Sequence, residues 1–481
     1  MFLLVHNENN FTGLIINGNE HKIVQIADNT TFILNGTEKS LNAALNVLEI
    51  FGSMSGLKTN SEKTKLVWIG KKRYSKDKYK IKTNVEWGAT HFYLLGINFS
   101  VDLNEMSQLN YPKVIQSIER LLTKWNQRYL TPLGKITVIK TLALSKLNYL
   151  FMALPSPSNK TIKALVATFF KFVWNGKPDK VKRNNMVKCY TSGGLNMIDL
   201  ENFLYASKLT WIRRLHNSRN SPWAQIYKWQ INDIERIITL GSKHSELIAK
   251  KIQNKFWLEI LQYWSLLISK MPVNTPDDAL TIPLWSNGKI SKSDLSLPHW
   301  YKRGIITPAD LIDSQGNFIS QATLKSAFGI NTNFLEYHRV TTCVKSFYKK
   351  LTNTALIHKK PIYPTQIKIL QSSHKGTRVF YNILNTNKHK IETPLVYSFW
   401  EQALEIRIPE SMWKQIYRIC FRSIKDNSII WLQYRILHRI LGTNEYMFRI
   451  KKRVSSQCNI CNDFPETILH LFTECRLIKQ F

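Results

Sequence analysis

Ile26-Ala27-Asp28-Asn29-Thr30-Thr31 is the stretch on which the reading of this sequence turns. Apolar runs flank it, Lys22-Ile23-Val24-Gln25-Ile26 before and Thr31-Phe32-Ile33-Leu34 after, bounded by Gly18 and by Asn35-Gly36. Short β-branched runs of this kind read as two strands of a hairpin. Asp28 is the only carboxylate in the stretch, with the amide Asn29 beside it. A carboxylate fixed on a tight turn between buried strands projects to one point and suits a hard cation such as Mg²⁺. The same residues also read as an Asp-Asn turn closed by its own side-chain hydrogen bonds. Taken alone, the hairpin favours that second reading.

The residues that follow shift the balance. Ser40 to Phe51 has the spacing of an amphipathic helix, with Leu41, Ala44, Leu45, Leu48 and Phe51 on one face. Then come Ser55-Gly56-Leu57-Lys58-Thr59-Asn60, Lys63-Thr64, a strand-like Leu66-Val67-Trp68-Ile69-Gly70, and Phe92-Tyr93-Leu94-Leu95-Gly96-Ile97. This order resembles the palm of reverse transcriptases from non-LTR (LINE-type) retrotransposons. In that family the hairpin tip reads aromatic-Ala-Asp-Asp-Thr-Thr, followed by a helix, SGLK-x-N-x-x-KT, and a primer-gripping turn F-K-Y-L-G-I. The resemblance runs to the last residues of the chain. It implies an α+β, mostly helical fold: a truncated polymerase palm (β-hairpin plus helix), a helical thumb, a helical connector and a small C-terminal zinc-binding segment. It also implies roles. Asp28 would be a Mg²⁺ ligand with Asn29 as its altered partner, Lys58 or Lys63 would lie near the departing pyrophosphate, and Phe92, Tyr93, Leu94, Leu95 and Gly96 would hold the primer end.

The departures from the family pattern have chemical weight. Ile26 replaces an aromatic residue, Leu94 replaces a tyrosine, and Asn29 replaces the second aspartate. Met1 falls downstream of the family's first catalytic aspartate. Polymerases hold two metals between carboxylates from two strands, and an amide brings no formal charge to hold one. The expectation is a C-terminal polymerase fragment, catalytically impaired. Glu8, Glu20, Glu38 and Glu49 fit no metal-ligand pattern and read as solvated surface.

The chain has 481 residues, enough for two to four domains, and a formal charge of +34. Residues 1–60 hold three Lys/Arg against five Asp/Glu, a net of −2, so the remainder carries +36. Such a balance points to a polyanionic partner, nucleic acid ahead of acidic membrane, and plentiful aromatics among the basic residues favour nucleic acid further. No apolar run of membrane-spanning length stands out, and Met1-Phe2-Leu3-Leu4-Val5 is too short for a signal-peptide core. The expected setting is intracellular, nuclear or cytoplasmic, with no disulfide framework among six cysteines. Composition leaves the oligomeric state open.

Division of the chain is expected at 1–100 (partial palm), 101–215 (thumb and post-thumb helices), 216–390 (connector, with a boundary or linker near 352–390) and 391–481. Tyr111 to Trp125 is helical in pattern, with Ile115, Ile118, Leu122 and Trp125 in a stripe and Lys113, Arg120, Lys124 and Arg128 off it. Thr131-Pro132 opens a second helix through Leu147 that carries Lys135, Lys140 and Lys146. Two basic helices after a palm suit a thumb gripping a duplex by its phosphates; the other reading is a solvated face on ordinary core helices. The aromatic run Phe169 to Trp174 reads as core.

Helices are expected at Ser398 to Leu404, Trp413 to Ser423 and Ile429 to Leu441, the last placing Arg435 and Arg439 on one face. Then comes Cys458-x2-Cys461-x8-His470-x4-Cys475, the donor set of a closed tetrahedral Zn²⁺ site. Three free cysteines and a core histidine are the bland alternative. Lys451-Lys452-Arg453 just upstream offers a phosphate-binding surface, and the zinc would be structural. The partners implied are an RNA template and a DNA primer or target, with no membrane. The rival function is a non-catalytic RNA- or DNA-binding protein.

Overall fold

The computed structural model describes residues 1–481 other than 27–28, 82–84, 219–220, 229–230, 232, 314, 352–363, 373–375, 387–394 and 481. The chain is mostly helical, and its described strands form four two-stranded sheets. It divides into two compact units: residues 1–114, 148–157 and 202–384, and residues 115–147, 158–201 and 385–481.

In the first unit, Ile23–Ile26 and Asn29–Phe32 form the expected antiparallel hairpin, in the register Ile23 to Phe32 and Ile26 to Asn29. The helix Glu38–Ser55 packs on it. Thr37 caps that helix by accepting from the Ser40 N–H, and Gly56 ends it in the left-handed conformation that glycine adopts without strain. Ser40 ties the helix back by donating to the Thr12 carbonyl at 2.8 Å. Beneath lies a small core of Val5, Phe11, Ala43, Ala44 and Val47, with Ile23, Phe32 and Leu34 at its edge. Each fully buried aliphatic side chain of Val size adds roughly 1.5–3 kcal/mol. The strands are buried less than their sequence implies, because Val24 and Ile26 are exposed.

The strand expected over Leu66 to Gly70 is shorter than its pattern. Lys65–Leu66 pairs in parallel with Glu86–Trp87 and stops. Trp68 turns to pack against Tyr79 and Trp87 and donates to the Asp77 carbonyl at 2.9 Å, and the chain then bends at Gly70. Next, His91–Leu94 and Ile97–Ser100 make a hairpin closed by two residues of positive φ, Leu95 at 48° and Gly96 at 82°. That is the twist a two-residue hairpin turn requires. Leucine is strained there, and the Tyr149 hydroxyl holds it by donating to the Leu95 carbonyl at 2.6 Å.

Two further cores complete this unit. One centres on Trp264, Ile260 and Leu261 of the helix Lys255–Lys270, with Leu209 and Ile212 of Leu200–Asn217. The other centres on Trp285 and Trp300. Within the stretch 352–390, where a boundary or linker is expected, the helices Thr365–Ser372 and Arg378–Asn385 dock by Leu370, Phe380 and Leu384 into the first of these cores; residues 352–363, 373–375 and 387–390 of that stretch lie outside the described residues. Between Leu200–Asn217 and Lys255–Lys270 sits a buried ion pair, Lys208 Nζ to Glu259 at 3.0 Å. The same carboxylate accepts from the Ser156 N–H and hydroxyl, both at 2.8 Å, while Lys208 also donates to the Leu154 carbonyl. This network fastens the segment 154–156 to both helices.

In the second unit, Thr131 caps Pro132–Val138 as its sequence predicts, and a π turn at Ile139–Ala143 follows. The run Pro132–Ala153 is long and apolar enough to cross a membrane by length and composition, which the sequence reading overlooked. Leu133, Ile136, Ile139, Ala143 and Leu147 are nevertheless buried in the protein, as in a core helix. Phe169, Phe170, Phe172 and Trp174 are buried too. Tyr397, Trp413 and Tyr417 form an aromatic stack, with Tyr397 and Trp413 centroids 4.1 Å apart. Gly193, at φ 72°, lies so close to Tyr417 that a Cβ there would come within 2.8 Å of the ring. Glycine is required at that crossing for both reasons.

Candidate metal centre and nucleic-acid interface

The C-terminal motif folds into a cage. Asn462, at φ 56°, turns the chain so that its N–H donates to the Cys458 carbonyl at 2.9 Å, and the Cys458 N–H donates to the Phe464 carbonyl at 2.8 Å. A helical turn from Ile468, continuing as a π turn over His470–Glu474, then brings His470 and Cys475 back toward the knuckle. The ligand atoms of Cys458, Cys461, His470 and Cys475 all lie within 4.8 Å of one another. Tetrahedral Zn²⁺ with bonds of roughly 2.0–2.3 Å needs donors roughly 3.5–3.8 Å apart, and Cys461 Sγ and His470 Nε2 are 3.3 Å apart. The donors fit zinc. The charge is prepared as well: the N–H groups of Asp463 and Phe464, with His470, pull the Cys461 thiol down to about 7, so a thiolate is accessible at neutral pH. Burial pushes Cys458 the other way, and metal binding reverses that direction.

A second layer ties the cage to the helix Asn444–Arg449. Glu466 accepts from the Asn444 N–H at 3.0 Å, and Asn444 donates to the Gln457 carbonyl at 2.6 Å. Arg453 donates to the Asn444 side chain. With four protein donors and no open position, the site is of the structural class. Residues 377–481 match a family model described as zinc-binding in reverse transcriptase. The C-terminus of this chain is therefore reverse-transcriptase-related, and the Cys3His cluster is its zinc site.

The basic residues singled out on the sequence divide by environment. Lys113, Arg120 and Lys124 are exposed on the helix Met106–Asn126, and Arg128 lies over the Trp125 ring at 4.6 Å. Lys146 is also exposed, 3.1 Å from the Ser117 hydroxyl. Arg120, Lys124, Trp125 and Lys146 line an open cavity of about 370 Å³ with Ser117 and Leu121. Lys140 is half-buried, and burial lowers its pKa.

Lys135 corrects the expectation of a phosphate contact. It is 1% exposed and donates to Asn126, to Asn175 and to the Phe172 carbonyl at 2.9 Å. These bonds hold it in the core, where it braces the turn after Asn159–Val173. Arg439 corrects a second expectation. The helix Asn427–Leu437 ends before it, and Arg439 takes φ 54° and lies over the Phe399 ring. It therefore does not share a helix face with the half-buried Arg435. Lys451 and Lys452 are exposed, whereas Arg453 is engaged by Asn444.

At the other end of the chain, Asp28 lies outside the described residues. Asn29 begins its strand exposed, opposite Ile26. Lys58 and Lys63 are exposed beyond the helix Glu38–Ser55. In the second hairpin, Phe92 stacks on Phe99 at 5.3 Å, Leu94 is half-buried, and Tyr93 is 67% exposed near the tip made by Leu95 and Gly96. Sequence reasoning missed the Tyr149 support of that tip, because the partners are 54 positions apart.

Proposed function

We propose that this chain holds RNA template and DNA primer or target as the C-terminal part of a non-LTR (LINE-type) reverse transcriptase. The observation that carries the reading is the closed Cys3His cage within a segment matching zinc-binding in reverse transcriptase. It is supported by the hairpin, helix and second hairpin in family order, and by the exposed Arg120, Lys124 and Lys146 around one open cavity. In this reading residues 1–100 are partial palm, 101–215 thumb and post-thumb, 216–390 connector and 391–481 the zinc-bearing region. The thumb helices grip a duplex through its phosphates, the second hairpin steadies the primer end, and Zn²⁺ shapes the terminal module without entering the chemistry. The setting is nuclear or cytoplasmic.

Asn29 in place of an acid favours a second reading, a binder without catalysis. Two Mg²⁺ ions need several anionic ligands, and the amide supplies none. Primer extension on an RNA template with Mg²⁺ separates the two. The expected result is tight binding with little or no nucleotide incorporation. Incorporation that disappears in Asp28→Ala would instead assign an active polymerase.

A further inference from the structure

We propose that Lys177, Lys180, Arg435 and Lys452 form a single cradle for the phosphate backbone of a nucleic acid strand. The zinc-bearing segment would then complete its binding surface with a loop from far upstream. The inference deepens the proposed function and rests on it.

The loop is built to be rigid. After the helix Asn159–Val173, Asn175 and Gly176 both take positive φ, 53° and 73°, and the Gly176 N–H returns to the Lys171 carbonyl at 2.8 Å. Lys135 supports the turn from within by its bonds to Asn175 and to the Phe172 carbonyl. Trp174 packs against Trp431 of the helix Asn427–Leu437, with ring centroids 6.1 Å apart. That contact joins the loop to the helix that carries Arg435, one turn along from Trp431, and Lys180 lies within electrostatic reach of Arg435, of Lys177 and of Lys452, six residues before the first zinc ligand.

Lys180 feels this company. Partial burial, then Arg435, Lys177 and Lys452, lower its proton affinity. The acid in the loop is already taken, since Asp179 pairs with Arg183 at 2.6 Å. Among the described residues no carboxylate forms an ion pair with any of the four cations. The Arg435 Nε atom is buried with no hydrogen-bond partner. Like charges held together without a counter-charge repel, so the arrangement is unfavourable until an anion arrives. Four cations from two segments suit successive backbone phosphates, which need no base contact.

The test uses the zinc-loaded full chain and fluorescent RNA–DNA duplex and single-stranded oligonucleotides of mixed sequence, with affinity measured over a range of salt. Lys180→Gln, Lys452→Gln and Arg435→Gln should each lower the salt slope by about 0.7–0.9 and weaken binding about five- to tenfold at 0.1 M salt, whatever the sequence. Zinc content and melting temperature are recorded for each; the exposed Lys180 and Lys452 carry the test if Arg435→Gln misfolds. Lys39→Gln, exposed on the helix Glu38–Ser55, should leave the slope unchanged. If it lowers the slope equally, only net charge matters and the cradle is refuted. If the cradle variants bind like wild type while Arg120→Gln and Lys124→Gln lower the slope, the cradle fails and the proposed function stands. If no variant changes the slope, both fail. Loss of binding to anionic lipid vesicles with oligonucleotide binding intact would overturn the choice of ligand.

Discussion

Replacing Cys475 by serine, or chelating the metal, is expected to remove the zinc and unfold the end of the chain from about residue 443. Structural zinc in finger-sized modules contributes an apparent 10–16 kcal/mol or so at neutral pH, as much as the whole stability of a domain, about 5–15 kcal/mol. The segment has little else to hold it. Its buried residues are chiefly the ligands Cys458, His470 and Cys475, with Asn444 and Glu466 in the polar layer beneath. Ile460, Phe464 and Phe472 face solvent. Metal analysis should find one zinc per chain in the wild type and none in Cys475→Ser, and limited proteolysis should then cut between 443 and 480. Cys343→Ser, outside the cage, should keep its metal. A Cys475→Ser chain that holds zinc and resists cleavage would refute the assignment.

The second large effect lies at the buried ion pair of the first unit. Lys208→Met should destabilise the chain by about 3–5 kcal/mol, because it strands the Glu259 carboxylate in a low-dielectric site. Lys208→Met/Glu259→Leu should recover most of that loss, since two apolar groups need no partners. Recovery will be incomplete, for Ser156 then loses its acceptor. The pair also predicts a pH dependence. Burial outweighs the attraction of Glu259 and pulls Lys208 down to about 8, from an ordinary 10.5. Between those values the unfolded chain keeps a proton that the folded chain has released, so this group's contribution to stability rises with pH. Wild type should therefore gain on Lys208→Met from pH 8 to 10.5, by up to about 3 kcal/mol, with no change in the difference below pH 8. Denaturant midpoints at pH 7 and pH 10 measure it. A difference that shrinks as pH rises would contradict the account.

What the sequence revealed follows from the range of the forces involved. The hairpin at 23–32, the Thr131 cap and the cysteine-histidine cage are fixed by residues close together in the chain, where spacing carries the information. Lys135 was misread because its charge suggested solvent, while its three partners come from positions 126, 172 and 175. The Arg435–Arg439 face failed because the helix ends at Leu437 and the chain reverses hand at Arg439. The Lys208–Glu259 pair and the Trp174–Trp431 contact join residues 51 and 257 positions apart, and nothing in either local pattern announces them.

The central claim is that exposed cations on this chain grip a nucleic acid backbone, and the salt dependence of binding to an RNA–DNA primer–template measures that directly. Lys113, Arg120, Lys124, Arg128 and Lys146 offer five exposed contacts on or just beyond the helices Met106–Asn126 and Leu144–Ala153. Counter-ion release then predicts that the logarithm of affinity falls linearly with the logarithm of salt concentration, with a slope of about −4 or steeper. Binding that is absent at low salt, or indifferent to salt, would contradict it.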